Sequence, residues 1–229
     1  MKNKDLSDIV KYKFTDQELF KMALTHSSYA SEQGMSYEFN NERLEFIGDA
    51  YIDAVVGAKL FSIMSTSQEG ILSRARADVV CEESLANVAR DIDLGKYLYL
   101  GKGEDLSGGR NKDSILADAL EALIGAIILD GGYEEGSRVI LNLLDQKIRL
   151  AVKGKLNKDF KTKLQEKIQE KYQTVKINYK LISETGPDHD KMFTVDVVVQ
   201  NKVLGRGRGK SKAKAEQAAA QDVLLKGEI

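Results

Sequence analysis

A single cysteine, Cys81, in 229 residues excludes an internal disulfide, and with only two histidines beside it the chain has almost no donor set for zinc. A lone thiol suits a reducing compartment and is expected to be buried and structural. Long apolar runs are also missing. The longest, ALIGAIIL at 122–129, falls far short of the roughly 20 residues that a membrane-spanning helix needs. The opening MKNKDLSDIV places charges in every turn and holds no apolar signal core, so a cytoplasmic protein without membrane association is expected. Internal repeats and low-complexity tracts are absent. What is present, 42% hydrophobic and 30% charged residues, describes a globular chain long enough for one large core or two modest ones.

A net charge of −1 conceals a division. Residues 153–229 carry 17 Lys and Arg against 10 Asp and Glu, a net +7, which leaves 17 against 25, a net −8, on residues 1–152. Two domains with different partners are implied. The polar stretch AVKGKLNKD continues neither flanking pattern. It divides the chain into a domain at 1–152, a linker at 153–158 and a second domain at 159–229.

The first domain reads as nearly all helix. Thr15 with Glu18 three residues on forms a capping box that opens a helix through Leu19, Met22, Ala23 and Leu24. Apolar spacing predicts further helices at about 41–63, 67–78, 82–91, 113–130 and 134–150, with Gly131-Gly132 as a stop signal. His26, in ALTHSSY, lies near a helix end, where a hydrogen-bonded structural residue is expected rather than a catalytic base.

The acids in these helices are out of place. In NERLEFIGDAYIDAVV, Glu42, Glu45, Asp49 and Asp53 follow at steps of three, four and four, forming one stripe beside the apolar Leu44, Ile47, Ile52, Val55 and Val56. In DSILADALEALIGAIILD, Asp118 and Glu121 interrupt a helix that is apolar on most sides and supplies no Lys or Arg partner. Buried carboxylates need a counter-charge or a proton. Singly, these acids have ordinary explanations: Asp118 near a helix start, Glu42 paired with Arg43, Asp53 in solvent. Taken together, Glu45 with Asp49 and Asp118 with Glu121 offer four hard oxygen donors of the kind Mg²⁺ or Mn²⁺ takes.

The stretch NERLEFIGDA resembles the signature of the ribonuclease III family of double-strand RNA endonucleases, and EGILSRARA (69–77) and GGRNKDSILADALEALIGAI (108–127) resemble two further blocks of it in the same order. The resemblance covers essentially the whole chain. It implies an all-α nuclease domain that holds Mg²⁺, with Mn²⁺ as a substitute, on Glu45, Asp49, Asp118 and Glu121, of which Asp49 and Glu121 are the catalytic acids. Glu69 falls on an accessory acid, and Ile47 replaces a usual Leu. Phe46 corresponds to an aromatic knob that enters the partner subunit of a homodimer, although a core Phe would explain it almost as well. Implied too is cleavage by metal-activated water to 5′-phosphate and 3′-hydroxyl ends with a short 3′ overhang, in processing of rRNA precursors and structured mRNA. The rival is a non-cleaving double-stranded RNA-binding protein on the same fold, against which the intact acids argue.

The second domain changes period. Phe160, Leu164, Ile168 and Tyr172 share a helical face, after which Val175, Ile177, Tyr179 and Leu181, then Phe193, Val195, Val197 and Val199, alternate as two strands. A short third strand, KVLGRG, leads into the helix SKAKAEQAAAQDVLL, giving an α-β-β-β-α order. GRGRGKS imitates a phosphate-binding loop, but Leu204 stands where its first glycine belongs. GKGEDLSGG likewise lacks a dinucleotide fingerprint and is expected to be a flexible loop, with Arg110 and Lys112 approaching substrate phosphate. No nucleotide cofactor is expected. Lys210, Lys212 and Lys214 crowd a helix N-terminus, where cations are disfavoured unless an anion such as phosphate sits there. The order and the lysines resemble a double-stranded RNA-binding domain. By that resemblance Thr162, Gln165 and Gln169, with the loop from Pro187 to His189, read minor grooves, and the three lysines clamp phosphates between them. Ala213 stands where a second adjacent lysine is usual.

Overall fold

Hydrophobic spacing drives the first part of the chain into nine α-helices among the described residues, which in the computed structural model are 6–154, 160–172, 175–187 and 191–227. They are α1 (Leu6–Val10), α2 (Gln17–Ala23), α3 (Ser27–Glu32), α4 (Glu42–Ile63), α5 (Glu69–Val80), α6 (Glu82–Asp91), α7 (Lys102–Leu106), α8 (Asp113–Leu143) and α9 (Asp145–Val152). Two compact units result, residues 1–157 and 158–229. Residues 155–158 of the expected linker lie outside the described residues.

The core of the first unit is built on α8. Leu116, Ala119, Leu120, Ala122, Leu123, Ile124 and Ile127 are all within 1% of full burial, so the helix is enclosed on nearly every side. Its closest neighbour is α4, and the approach is set by two glycines. A Cβ added at Gly48 would lie 1.9 Å from the backbone oxygen of Glu121, and one at Gly125 would lie 2.2 Å from that of Leu44. Each glycine therefore admits the backbone of the other helix. A mid-helix glycine costs about 1 kcal/mol relative to alanine, and here the close crossing offsets that cost.

Several local expectations are overturned by long-range contacts. Asp16, not Thr15, caps α2, accepting hydrogen bonds from the amides of Glu18 and Leu19 at 3.0 Å each. Thr15 is displaced because its amide donates to Asp130 (2.8 Å), as do the Asp16 amide (2.9 Å) and the Tyr12 hydroxyl (2.7 Å). The Gly131-Gly132 stop is a kink instead. Gly132 takes φ 84° and helical turns resume beyond it, while a Cβ at Gly131 would strike the Tyr12 ring. Cys81 is exposed, because it lies in the extended junction between α5 and α6.

The expected flexible loop at 101–109 is ordered. It forms α7 and a 3₁₀ turn at Gly109–Asn111, tied by the Gly101 amide to Ser28 Oγ (2.9 Å) and by the Lys102 amide to Glu32 (2.9 Å). Arg110 is engaged within it, donating to the Asp105 carboxylate at 2.8 and 3.0 Å and to the carbonyls of Gly95 and Leu98. Lys112 bonds Glu104 at 2.5 Å. Both cations expected at substrate phosphate thus have structural partners.

In the second unit, α10 (Phe160–Tyr172) and α11 (Lys212–Lys226) cover one face of an antiparallel sheet in the order β1 (Ile177–Thr185), β2 (Met192–Val199), β3 (Lys202–Gly209). Leu164, Ile168, Val195, Val197, Ala215, Ala219, Ala220 and Val223 are fully buried between them. The GRGRG run owes its alternation to this packing. Gly205, Gly207 and Gly209 face α11, where added Cβ atoms would lie 2.5, 2.1 and 2.6 Å from Val223, Ala219 and Ala215. Arg206 points to the opposite face and grips the buried Asp196 through Nε (2.6 Å) and a terminal nitrogen (2.8 Å), holding that carboxyl below its ordinary pKa. Leu181, expected in the buried alternation, is exposed where edge strand β1 shifts register between Leu181 and Ser183.

Because the α4–α8 contact is backbone against backbone, Gly48→Ala should destabilise the first unit by about 1–3 kcal/mol. Gly70→Ala, in α5 with nothing within 4 Å of the added Cβ, is the matched control and should be neutral or slightly stabilising. Equal thermal melts for the two variants would contradict the close crossing.

Candidate metal centre

The helix crossing delivers the acids. Glu45 lies one turn into α4, three residues before Gly48, and Asp118 and Glu121 share a face of α8, with Glu121 itself supplying the carbonyl that Gly48 meets. Carboxylate oxygens of Glu45, Asp118 and Glu121 all lie within 4.8 Å of one another, and all three residues are half-buried. Three of the four expected ligands are thus gathered. Asp49, one turn further along α4, is exposed and stands beside this group rather than inside it.

The arrangement is electrostatically costly. Burial, then Asp49, Glu45, Asp118 and Asp53, push the Glu121 carboxyl from its ordinary 4.5 up to about 8. Glu45 is raised by burial, Asp118, Glu42 and Asp49, and Asp118 is raised by burial and by Glu82, a residue of α6 that no sequence pattern singled out. Among the described residues, no Lys or Arg forms an ion pair with Glu45, Asp118 or Glu121. Hard oxygen donors, half-buried, convergent and without a counter-charge, fit a divalent cation of the Mg²⁺ or Mn²⁺ type.

The remaining acids sit apart. Asp53 pairs with Arg76 at 3.7 Å, both side chains being about 40% exposed, so it is not simply solvated and the pair adds little stability. Glu42 is exposed, with its amide bonded to Asn40 Oδ1. Glu69, in the first turn of α5, is exposed and accepts a hydrogen bond from Ser73 Oγ at 2.6 Å.

Phe46 is 77% exposed, which excludes the core reading. It heads a stripe on α4 that runs through the exposed Ala50, Ala54 and Ala58 to Phe61, itself 72% exposed. In the second unit, Thr162 and Gln165 are half-buried and Gln169 is exposed on α10, opposite the buried Leu164 and Ile168. Pro187 is exposed beyond β1, and His189 lies outside the described residues. Lys210, Lys212 and Lys214 are exposed around the start of α11, where Ser211 Oγ caps the helix by accepting from the Lys214 amide at 3.2 Å.

Comparison with known proteins agrees with this division. A family model described as Ribonuclease-III-like matches residues 16–148, and a double-stranded RNA binding motif matches residues 160–226. The chain is 49% identical over 221 residues to Ribonuclease 3 of Caldanaerobacter subterraneus subsp. tengcongensis, covering 96% of each. It is 44% identical over 214 residues to Ribonuclease 3 of Pelotomaculum thermopropionicum, covering 93% of this chain and 88% of the relative. Among solved structures it resembles the nuclease domain of Ribonuclease III from Campylobacter jejuni, with a TM-score of 0.58 and 42% identity over 62% of this chain and 95% of that one. Among the described residues, no helix is long and apolar enough to cross a membrane. With a paired acid group on two crossed helices and both matched units in this order, the chain belongs to the ribonuclease III family.

Proposed function

We propose that this member of the ribonuclease III family is a cytoplasmic, homodimeric, Mg²⁺-dependent endoribonuclease that hydrolyses double-stranded RNA to 5′-phosphate and 3′-hydroxyl ends. The observation that carries the metal assignment is the convergence of Glu45, Asp118 and Glu121 without a counter-charge, at a cost visible in the raised Glu121 pKa of about 8. Nothing in the structure favours a non-cleaving RNA-binding role, for which such a group would be a liability.

Glu45, Asp118 and Glu121 hold the cation, and Asp49 closes the group from the solvent side. A divalent cation there supplies Lewis acidity, which acidifies water and neutralises charge on a phosphodiester. Glu121 would serve as a ligand in its ionised form, and the α4–α8 crossing keeps the donors in place without reorganisation. Glu69, held by Ser73, serves as an accessory acid. Thr162, Gln165, Gln169 and the loop at Pro187 and His189 read 2′-hydroxyls, while Lys210, Lys212 and Lys214 bind phosphates. The Campylobacter jejuni nuclease domain is structurally flexible in a region involved in dimer formation, and the Phe46–Phe61 stripe is the surface of this chain suited to a second copy.

Glu121→Gln should reduce cleavage by orders of magnitude at saturating RNA and Mg²⁺ while leaving duplex affinity near wild type. The melt carries a second signature. Because the folded pKa of Glu121 lies above its ordinary value, ionisation penalises the folded state. Metal-free protein should therefore lose stability as pH rises from about 4.5 to about 8, and Glu121→Gln should flatten that slope. Wild-type cleavage in this variant would remove Glu121 from the metal centre.

Replacing Lys210, Lys212 and Lys214 together with Ala should weaken duplex binding and lower the log–log salt slope by up to about 3, since each phosphate contact contributes roughly 0.9. Unchanged affinity at physiological salt would disprove the clamp. For the dimer, Phe46→Ala should raise the monomer fraction in dilute sedimentation runs with the helical spectrum intact, and an unchanged dimer would place the interface elsewhere.

A further inference from the structure

Among the described residues, one cation forms an ion pair with the acid stripe of α4: Arg76, whose Nε lies 3.7 Å from Asp53 Oδ1. After the short connection at 64–68, α5 packs back along α4, and Arg76 shares a face of α5 with Glu69 and Ser73. Its stem crosses α4 where that helix has no side chain. A Cβ at Gly57 would lie 3.6 Å from Arg76 Cδ, which is ordinary van der Waals contact. From Gly57 the head of the side chain reaches Asp53, one turn nearer the metal group. Asp49 follows after a further turn, about 5.4 Å of helix, and Glu45 after another. The guanidinium thus stands on the acid row itself, beside the carboxylates that α4 and α8 bring together.

The donors of that guanidinium are unused. Arg90, Arg110, Arg138 and Arg149 each donate hydrogen bonds to a carboxylate, and the first three donate to backbone carbonyls as well. Arg76 donates none among the described residues, since 3.7 Å exceeds hydrogen-bond length. The pair is also open to water, with the Arg76 side chain 43% exposed and that of Asp53 40%, so it contributes little stability. An RNA strand that brings one phosphodiester to Glu45, Asp118 and Glu121 and continues along α4 carries its next phosphates over Asp49 and Asp53, which repel them. A guanidinium at Asp53 offsets that repulsion, and its planar fork matches two oxygens of a phosphate.

We infer that Arg76 is a phosphate-binding residue for the strand being cut: its guanidinium, held beside Asp53, takes a phosphate flanking the scissile one and so fixes the register of the strand on the metal group. With about 12 Å of helix between Asp53 and Glu45, it does not reach the reacting phosphoryl group itself. This rests on the metal centre proposed above. It adds a substrate contact within the nuclease unit, separate from the RNA-binding residues of the second unit.

The test pairs protein variants with backbone-modified RNA. A duplex with one defined cleavage site carries a single neutral methylphosphonate on a 2′-deoxynucleotide, moved in turn through the phosphates around the cut. The same 2′-deoxy duplex with an ordinary phosphate is the reference. Single-turnover cleavage at saturating RNA and Mg²⁺ is followed in wild type, Arg76→Gln, Arg76→Lys and Asp53→Asn. On unmodified duplex, Arg76→Gln, which keeps a stem over Gly57, should cut roughly tenfold or more slowly, Arg76→Lys should lose less, and Asp53→Asn should stay within about twofold of wild type. At one flanking position the methylphosphonate should slow wild type by a similar factor and Arg76→Gln hardly further, because the contact is already gone. Melting temperature and RNA-free thermal stabilisation by Mn²⁺ should match wild type in both Arg76 variants. Should Arg76→Gln melt low, Arg76→Lys carries the same comparison. Equal losses in Arg76→Gln and Asp53→Asn would reduce Arg76 to half of a structural pair, and additive losses at every modified position would show that it touches no phosphate; either result overturns the inference, as does wild-type cleavage by Arg76→Gln. Glu121→Gln run alongside separates the levels: if it retains Mn²⁺ stabilisation and cleavage, the metal centre has failed, and the methylphosphonate series still reads the Arg76 contact by itself.

Discussion

The backbone contact between α4 and α8 at Gly48 and Gly125 is the constraint on which the rest of the first unit depends. Two helices with ordinary side chains at their crossing keep their axes 8–10 Å apart. Here each glycine admits a carbonyl of the other helix, from Glu121 and from Leu44, so the backbones approach more closely than side chains would permit. Glu45 and Glu121 stand within one turn of that contact, and their carboxylates meet because the backbones do. The same crossing buries the apolar remainder of α8, so the core and the acid group are consequences of one packing event.

Bringing those acids together works against stability, and the surrounding structure is arranged to hold them regardless. Repulsion and burial raise Glu45, Asp118 and Glu121 together, whereas the acids around the periphery are placed where they stabilise. At Asp130, burial opposes ionisation, but the Tyr12 hydroxyl and the Thr15 and Asp16 amides hold the carboxyl below its ordinary pKa and fasten the N-terminal segment to α8. Asp105 and Glu104 bind Arg110 and Lys112, fixing the segment that leads into the foot of α8. The contrast separates the structural acids from the proposed ligands. Asp130 and Glu104 have donors and carboxyls held below their ordinary pKa, whereas Glu45, Asp118 and Glu121 are pushed above theirs.

In the second unit one strand serves two surfaces. Alternation of glycine with arginine in β3 lets α11 lie directly on the sheet, while Arg206 crosses to the other face and neutralises Asp196 on the central strand. Docking of α11 in turn fixes where its N-terminus lies, and with it the lysines around Ser211. A motif that mimics a phosphate-binding loop thus contributes indirectly, by setting the seat of the helix whose start presents Lys210, Lys212 and Lys214.

Much of this was legible in the linear sequence. Apolar period gives α4 and α6 almost to the residue, the change to alternation marks the sheet, and the charge division separates two units, because each of these is a local property of the chain. The acids were legible for a thermodynamic reason: carboxylates among core residues with no nearby cation need an explanation wherever they occur. Other features depended on partners far away in sequence. Asp130 moved the cap of α2 from Thr15 to Asp16, the ion pairs of Arg110 and Lys112 turned an expected loop into ordered structure, and Glu82 reached Asp118 from another helix. The exposure of Cys81 and Phe46 was likewise open until the helices were packed. Gly48 and Gly125 did leave a signal, as glycines inside apolar helices, but only the fold shows that they face each other. By itself the sequence determined which residues bear charge, which faces are apolar and where the chain changes period. Only the tertiary structure decided that Glu45, Asp118 and Glu121 converge while Asp49 stays at the rim, because convergence depends on the distance and angle between two helices, and those are set by contacts between residues more than 70 positions apart.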